Sequence, residues 1–116
     1  VMPARLLQQW RNEAVKFLGD CALRLVLLIP GEEHLRSKEE LSAADLVLAP
    51  FEICRCLTRK RKHSSAEAPL GPLFGLELSR IVIDEIHEAL GPQWPEVRDF
   101  AKHYQCCPVW GLSGTL

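Results

Sequence analysis

Four short apolar runs, separated by stretches of helical character, constrain the fold of this sequence more than any other feature. Leu23 to Ile29 is apolar throughout except for Arg24, and Pro30-Gly31 ends it. Asp45-Leu46-Val47-Leu48-Ala49-Pro50 and Arg80-Ile81-Val82-Ile83 are the second and third runs. Pro108-Val109-Trp110-Gly111-Leu112 is the fourth, ending at Ser113-Gly114-Thr115. The first reads as a strand covered on both faces, the second and third as buried strands, and the fourth as a strand.

Between the strands the spacing predicts helices. Proline at position 3 and glycine at position 19 bracket a segment in which Leu6, Leu7, Trp10, Ala14, Phe17 and Leu18 recur three and four residues apart. That spacing gives one apolar face, and Arg11, Glu13 and Lys16 can stay in water. Ser37-Lys38-Glu39-Glu40 has capping-box spacing and opens a short helix. Further helices are predicted from Phe51 to Leu57 and, with proline first, from Pro95 to Tyr104. Strands alternating with helices require right-handed crossovers, hence an α/β fold with a parallel sheet and helices on both faces. Ligands of such sheets bind at the carboxyl ends of the strands.

The basic run Arg59-Lys60-Arg61-Lys62-His63 opens a stretch that continues with Ser-Ser, prolines and glycine. It reads as a loop insertion, at about 59–77, rather than a domain boundary. The run is either a solvated loop, an extra contact for a polyanion backbone, or a nuclear-import signal. Over the whole chain of 116 residues, 14 basic side chains face 15 acidic ones. No global field therefore advertises a polyanionic partner, and any nucleic-acid contact must be local. The apolar run Leu25 to Pro30 is far shorter than the roughly 20 residues a membrane span needs. Without a signal pattern the chain reads as soluble and intracellular, with no membrane partner. Cys21, Cys54, Cys56, Cys106 and Cys107 lack disulfide-framework spacing and the C-x2-C knuckle, so no zinc is expected and the thiols read as buried or surface groups.

The chemistry concentrates in Ile81-Val82-Ile83-Asp84-Glu85-Ile86-His87, where a buried strand delivers two adjacent carboxylates to its carboxyl end. Ionised carboxylates placed there without partners cost several kcal/mol each, so a cation is one explanation. The pair then divides between holding a hydrated magnesium ion and orienting the attacking water of a nucleotide hydrolysis. The other explanation is that Asp84 and Glu85 cap the next helix.

Four segments in order carry a resemblance. Pro3-Ala4-Arg5-Leu6-Leu7-Gln8-Gln9-Trp10 with Glu13, Asp45 to Glu52, Asp84-Glu85-Ile86-His87, and Gly111-Leu112-Ser113-Gly114-Thr115-Leu116 are similar to P-x-x-L-L-x-Q-W-x-x-E, D-V-V-L-T-T-Y-E, D-E-A-H and L-T-G-T-P. The chain thus resembles the first motor lobe of the Snf/Swi-type DNA translocases of the second helicase superfamily, which is RecA-like and of the P-loop NTPase type. The resemblance implies Asp84 as the partner of Mg2+ through water and Glu85 as the water activator, with His87 linking the nucleotide site to Ser113, Gly114 and Thr115. Those three would couple hydrolysis of ATP to lobe movement. Pro3, Arg5, Gln9, Pro50 and Glu52, with Arg59, Lys60, Arg61 and Lys62, become candidate contacts to the backbone of double-stranded DNA. A second motor lobe, chromatin or repair proteins, and a nuclear location are implied in the same way.

The departures are specific. No G-x-x-x-x-G-K-[ST] loop occurs in the 116 residues, so the cradle for the β- and γ-phosphates is lacking. Leu116 and Ile86 stand where the family usually has proline and alanine. The expectation is therefore a partial lobe of a longer motor, without the phosphate-loop strand and helix, inactive by itself and exposing an apolar sheet edge. The alternative is a non-catalytic DNA- or protein-interaction module derived from such a lobe.

Overall fold

A computed structural model describes residues 1–19, 24–32, 35–55, 76–104 and 107–114. Four strands form: β1 (Leu25–Leu27), β2 (Leu46–Leu48), β3 (Ile81–Ile83) and β4 (Val109–Gly111). They pair as two parallel two-stranded sheets, β1 with β2 and β3 with β4. Leu25, Val26 and Leu27 face Leu46, Val47 and Leu48, and Ile81, Val82 and Ile83 face Val109, Trp110 and Gly111.

Val1 and Met2 lie between the two sheets and bond to both. The Met2 amide donates to Ala49 O at 3.1 Å and Met2 O accepts from Phe51 at 2.8 Å. On the other side the Val1 amine donates to Val82 O at 2.7 Å, and Val1 O accepts from Asp84 at 2.8 Å. The pairing of Met2 with Pro50 is also parallel. Two residues thus tie β2 to β3 and align all four strands in one direction, as the alternation of strands and helices predicts.

The helices are α1 (Leu7–Leu18), preceded by a 3-10 turn at Ala4–Leu6, α2 (Lys38–Ser42), α3 (51–55 as far as described), α4 (Ile86–Ala89) and α5 (Pro95–His103). The start of α2 is the expected cap, because Ser37 Oγ accepts from the Glu40 amide at 3.0 Å. Glu40 does not complete a reciprocal box: its carboxylate takes Arg36 at 2.8 Å, one helical turn away. In α5 proline occupies the first turn, where no amide is needed.

One face of the strands builds the core. Val26, Leu28, Ile81 and Ile83 are buried with Leu41 of α2, Phe51, Ile53 and Cys54 of α3, Ala89 of α4, and Val97 and Phe100 of α5. Each fully buried large side chain, such as Phe51, Leu28, Ile53 or Val97, contributes about 1.5–3 kcal/mol. Asp84, one position beyond Ile83, projects to the opposite side, where Trp10 of α1 meets it. Helices therefore lie against both faces.

The apolar face of α1 is half-buried at Leu7, Trp10 and Ala14 and open at Phe17, which is 72% exposed. Helical periodicity identifies an apolar stripe but not whether an element exists to cover it. All three residues of β4 are exposed, and Trp110 is 53% accessible. β4 is an edge strand among the described residues, and Arg80 shields its indole by stacking at 4.2 Å. Val109, Trp110 and the adjoining Leu112 are exposed apolar residues there. The basic run 59–63, the rest of the insertion to position 75, Cys21, Cys56, Cys106, Thr115 and Leu116 fall outside the described residues.

Candidate functional site

Asp84 follows β3 directly, so the strand fixes its carboxylate at the carboxyl end of the sheet. Oδ2 accepts from the Trp10 indole Nε1–H at 2.8 Å, and Oδ1 accepts from the Glu85 amide at 2.9 Å. Half-buried and twice hydrogen-bonded, the carboxylate needs no cation to be tolerated there. Each oxygen keeps a further lone pair, so the group can still act as an acceptor toward a hydrated cation. Trp10 is therefore more than packing, which its place in an apolar stripe does not disclose.

Glu85 has left-handed backbone, φ 53 and ψ 50. For a residue with a side chain this costs about 1–3 kcal/mol and persists only where the surroundings hold it. They do: Ile86 N–H donates to Leu112 O at 2.9 Å, and Leu112 N–H donates to Ile83 O at 2.8 Å. The turn at Glu85 brings α4 back onto the end of β4. Glu85 is the N-cap residue of α4, and its side chain makes no hydrogen bond to the helix amides.

The carboxylate of Glu85 instead meets His87. Oε2 lies 3.2 Å from Nε2, while Nδ1 lies 3.1 Å from Ser113 Oγ. A carboxylate only accepts, so Nε2 carries the proton in the neutral imidazole and Nδ1 accepts from the Ser113 hydroxyl. One ring thus contacts both Glu85 and the segment after β4. Gly114 follows with open space where a Cβ would stand.

Gly111 permits this closeness. A Cβ on Gly111 would come within 2.8 Å of Ile86 Cγ1 and 3.0 Å of its Cβ. The larger side chain at position 86 thus demands glycine at the end of β4, and the pair sets how near α4 comes to Ser113.

Arg5 pairs with Glu88 of α4 in two guanidinium contacts, which holds the Glu88 carboxyl below the usual range. Glu85, His87 and Glu88 each offer a ligand atom, all within 4.8 Å of one another. Asp84, to which the sequence assigns the metal, is engaged separately by Trp10. Of the candidate DNA contacts, Pro3 and Pro50 are buried. Glu52 is half-buried with one carboxylate oxygen enclosed and unbonded among the described residues, and its charge would repel phosphate. Arg5 and Gln9 are exposed, although Arg5 is already committed to Glu88.

Away from the site, Arg55 stacks on Trp94 at 4.4 Å and bonds Glu96 at 3.3 Å, tying α3 to α5. Burial pushes the Cys54 thiol up to about 12, which makes it an inert core group. Among the described residues no helix is long and apolar enough to cross a membrane. A scan against protein-family models finds no match. A search of solved structures finds none either.

Proposed function

We propose that these residues are part of the RecA-like, ATP-binding lobe of a DNA-dependent, Snf/Swi-type translocase that couples ATP hydrolysis to movement on duplex DNA. The observation that carries the reading is the path from Glu85 Oε2 through His87 to Ser113 Oγ, at the carboxyl ends of two adjacent parallel strands. It joins the two segments that such a motor must couple, a water-orienting carboxylate and a segment that responds to it.

The donor set fits half of a Mg2+–ATP site. Asp84 offers hard carboxylate oxygens at a strand end, suited to a hydrated magnesium ion, and Glu85 is held by an imidazole that can share its proton. Mg2+ and ATP would supply a charge-neutralised phosphoryl group. In that role Glu85 orients a water and receives its proton, while His87 reports the change of charge to Ser113. The phosphate half is absent from the sequence and would come from outside these 116 residues. A second motor lobe, a nuclear location, and chromatin or repair partners belong to the same proposal.

One observation favours the alternative of a non-catalytic DNA- or protein-interaction module: both Asp84 oxygens already serve the fold, through Trp10 and the Glu85 amide. DNA-stimulated ATP hydrolysis by the full-length protein that contains these residues distinguishes the two. Activity lost in Asp84→Ala and Glu85→Gln supports the motor. A folded, DNA-binding protein without activity supports the module.

A further inference from the structure

Two elements far apart in sequence hold the two carboxylate oxygens of Asp84. Oδ1 accepts from the Glu85 amide, a local bond made at the left-handed turn. Oδ2 accepts from the Trp10 indole of α1, 74 positions away. A carboxylate held at one oxygen still pivots about that bond, and a second donor on the other oxygen fixes its plane. The indole bond therefore decides where the remaining lone pairs of Asp84 point.

Packing alone does not call for an indole at position 10. The apolar face of α1 is only half-buried at Leu7, Trp10 and Ala14, and any large apolar side chain would cover such a surface. What tryptophan adds is one N–H, a donor with no acceptor capacity. It cannot ligate a cation, so toward Asp84 it acts by orientation. The segment carrying it is held at a second point, because Arg5, in the turn before α1, bonds both carboxylate oxygens of Glu88 in α4. Arg5 and Trp10 thus bracket the stretch from Asp84 to Glu88 and fix the indole relative to the end of β3.

We propose that Trp10 is a positioning residue for the cation site: its N–H sets the plane of the Asp84 carboxylate, which then accepts from the hydration shell of Mg2+ without first reorganising. This rests on the reading of Asp84 as the Mg2+ partner. A ligand oriented in advance loses less freedom on binding, and outer partners of metal ligands commonly change metal affinity by about 10–100-fold. The bond that ties Asp84 to the fold is then the same bond that prepares it for the cation.

Equilibrium binding of ATP to the full-length protein that contains these residues tests the proposal, measured once in EDTA and once in Mg2+. The ratio of the two affinities isolates the contribution of the metal. Trp10→Phe is expected to shrink that ratio by about tenfold or more while leaving the affinity in EDTA unchanged. Asp84→Asn is expected to shrink it as well, and Trp10→Phe to add little in the Asp84→Asn background, since the two residues act through one carboxylate. If Trp10→Phe lowers both affinities alike, or leaves the ratio intact while Asp84→Asn shrinks it, the indole is a structural tie and the proposal is overturned, with Asp84 as the metal partner still standing. A ratio insensitive to Asp84→Asn, or no gain from Mg2+ in the unaltered protein, overturns that reading and the proposal with it.

Discussion

The Trp10 indole donates to Asp84 Oδ2 at 2.8 Å, joining α1 to the end of β3 across 74 positions of sequence. Neither side chain is fully exposed, so the bond is a charge-assisted one in a partly dry setting, worth about 1.5–3 kcal/mol. Trp10→Phe keeps the ring and deletes the donor. The denaturation midpoint should fall by the equivalent of about 1–2 kcal/mol, with the m-value unchanged, because water can reach the half-buried carboxylate and replace part of the bond. An unchanged midpoint would show that the bond contributes nothing.

Gly111 and Ile86 should behave as a coupled pair. Gly111→Ala places a methyl group against the Ile86 side chain, with overpacking of about 1–3 kcal/mol. In Ile86→Ala the Cγ1 contact at 2.8 Å is gone while the Cβ contact at 3.0 Å remains, so the double variant should recover part of that loss. A double-mutant cycle with a coupling energy above about 0.5 kcal/mol is expected. Strict additivity would mean that the two residues do not share the space the geometry gives them.

Much of the backbone was legible before any coordinates. The strands announced themselves because a β-branched or leucine run too short for a helix has few other ways to hide apolar surface, and Ser37, Pro95 and Gly31 marked their boundaries by local chemistry. The placement of Asp84, Glu85 and His87 near the end of β3 followed from strand length alone. The partners were not legible. Trp10 lies in an apolar stripe, and nothing in the stripe says that its nitrogen meets a carboxylate. The stripe itself overstates burial, as Phe17 shows, because periodicity is a property of one helix and coverage a property of two. Pro3 and Pro50, singled out by resemblance as DNA contacts, are buried because they flank the strand junction at Met2.

Stability of the 116-residue chain should depend on pH through the Val1 amine. Its folded value is depressed to about 6 from 8.0, chiefly by burial, so below pH 6 folding must desolvate a charge, whereas above pH 8 the amine is neutral in both states. The unfolded state binds more protons between these values, and stability should rise from pH 6 to pH 8, by no more than about 3 kcal/mol. Urea titrations at the two pH values measure it. N-terminal acetylation should abolish the difference, and a difference that survives acetylation would assign it to another group.

The pairing of Arg5 with Glu88 is exposed on the arginine side and should matter little at rest. Arg5→Ala is expected to leave the denaturation midpoint nearly unchanged, and more nearly so at high salt. A large fall in the midpoint would reveal that Arg5 holds α4, and with it His87, in place.

The central claim is that Glu85 orients the water of a nucleotide hydrolysis and that His87 relays the event to Ser113. It is tested most directly by DNA-stimulated ATP turnover of the full-length protein against its Glu85→Gln form. The account predicts a loss of at least about 100-fold with DNA binding retained, the scale of a removed general base. Turnover undiminished by Glu85→Gln would contradict it, as would the absence of turnover in a folded protein that binds DNA.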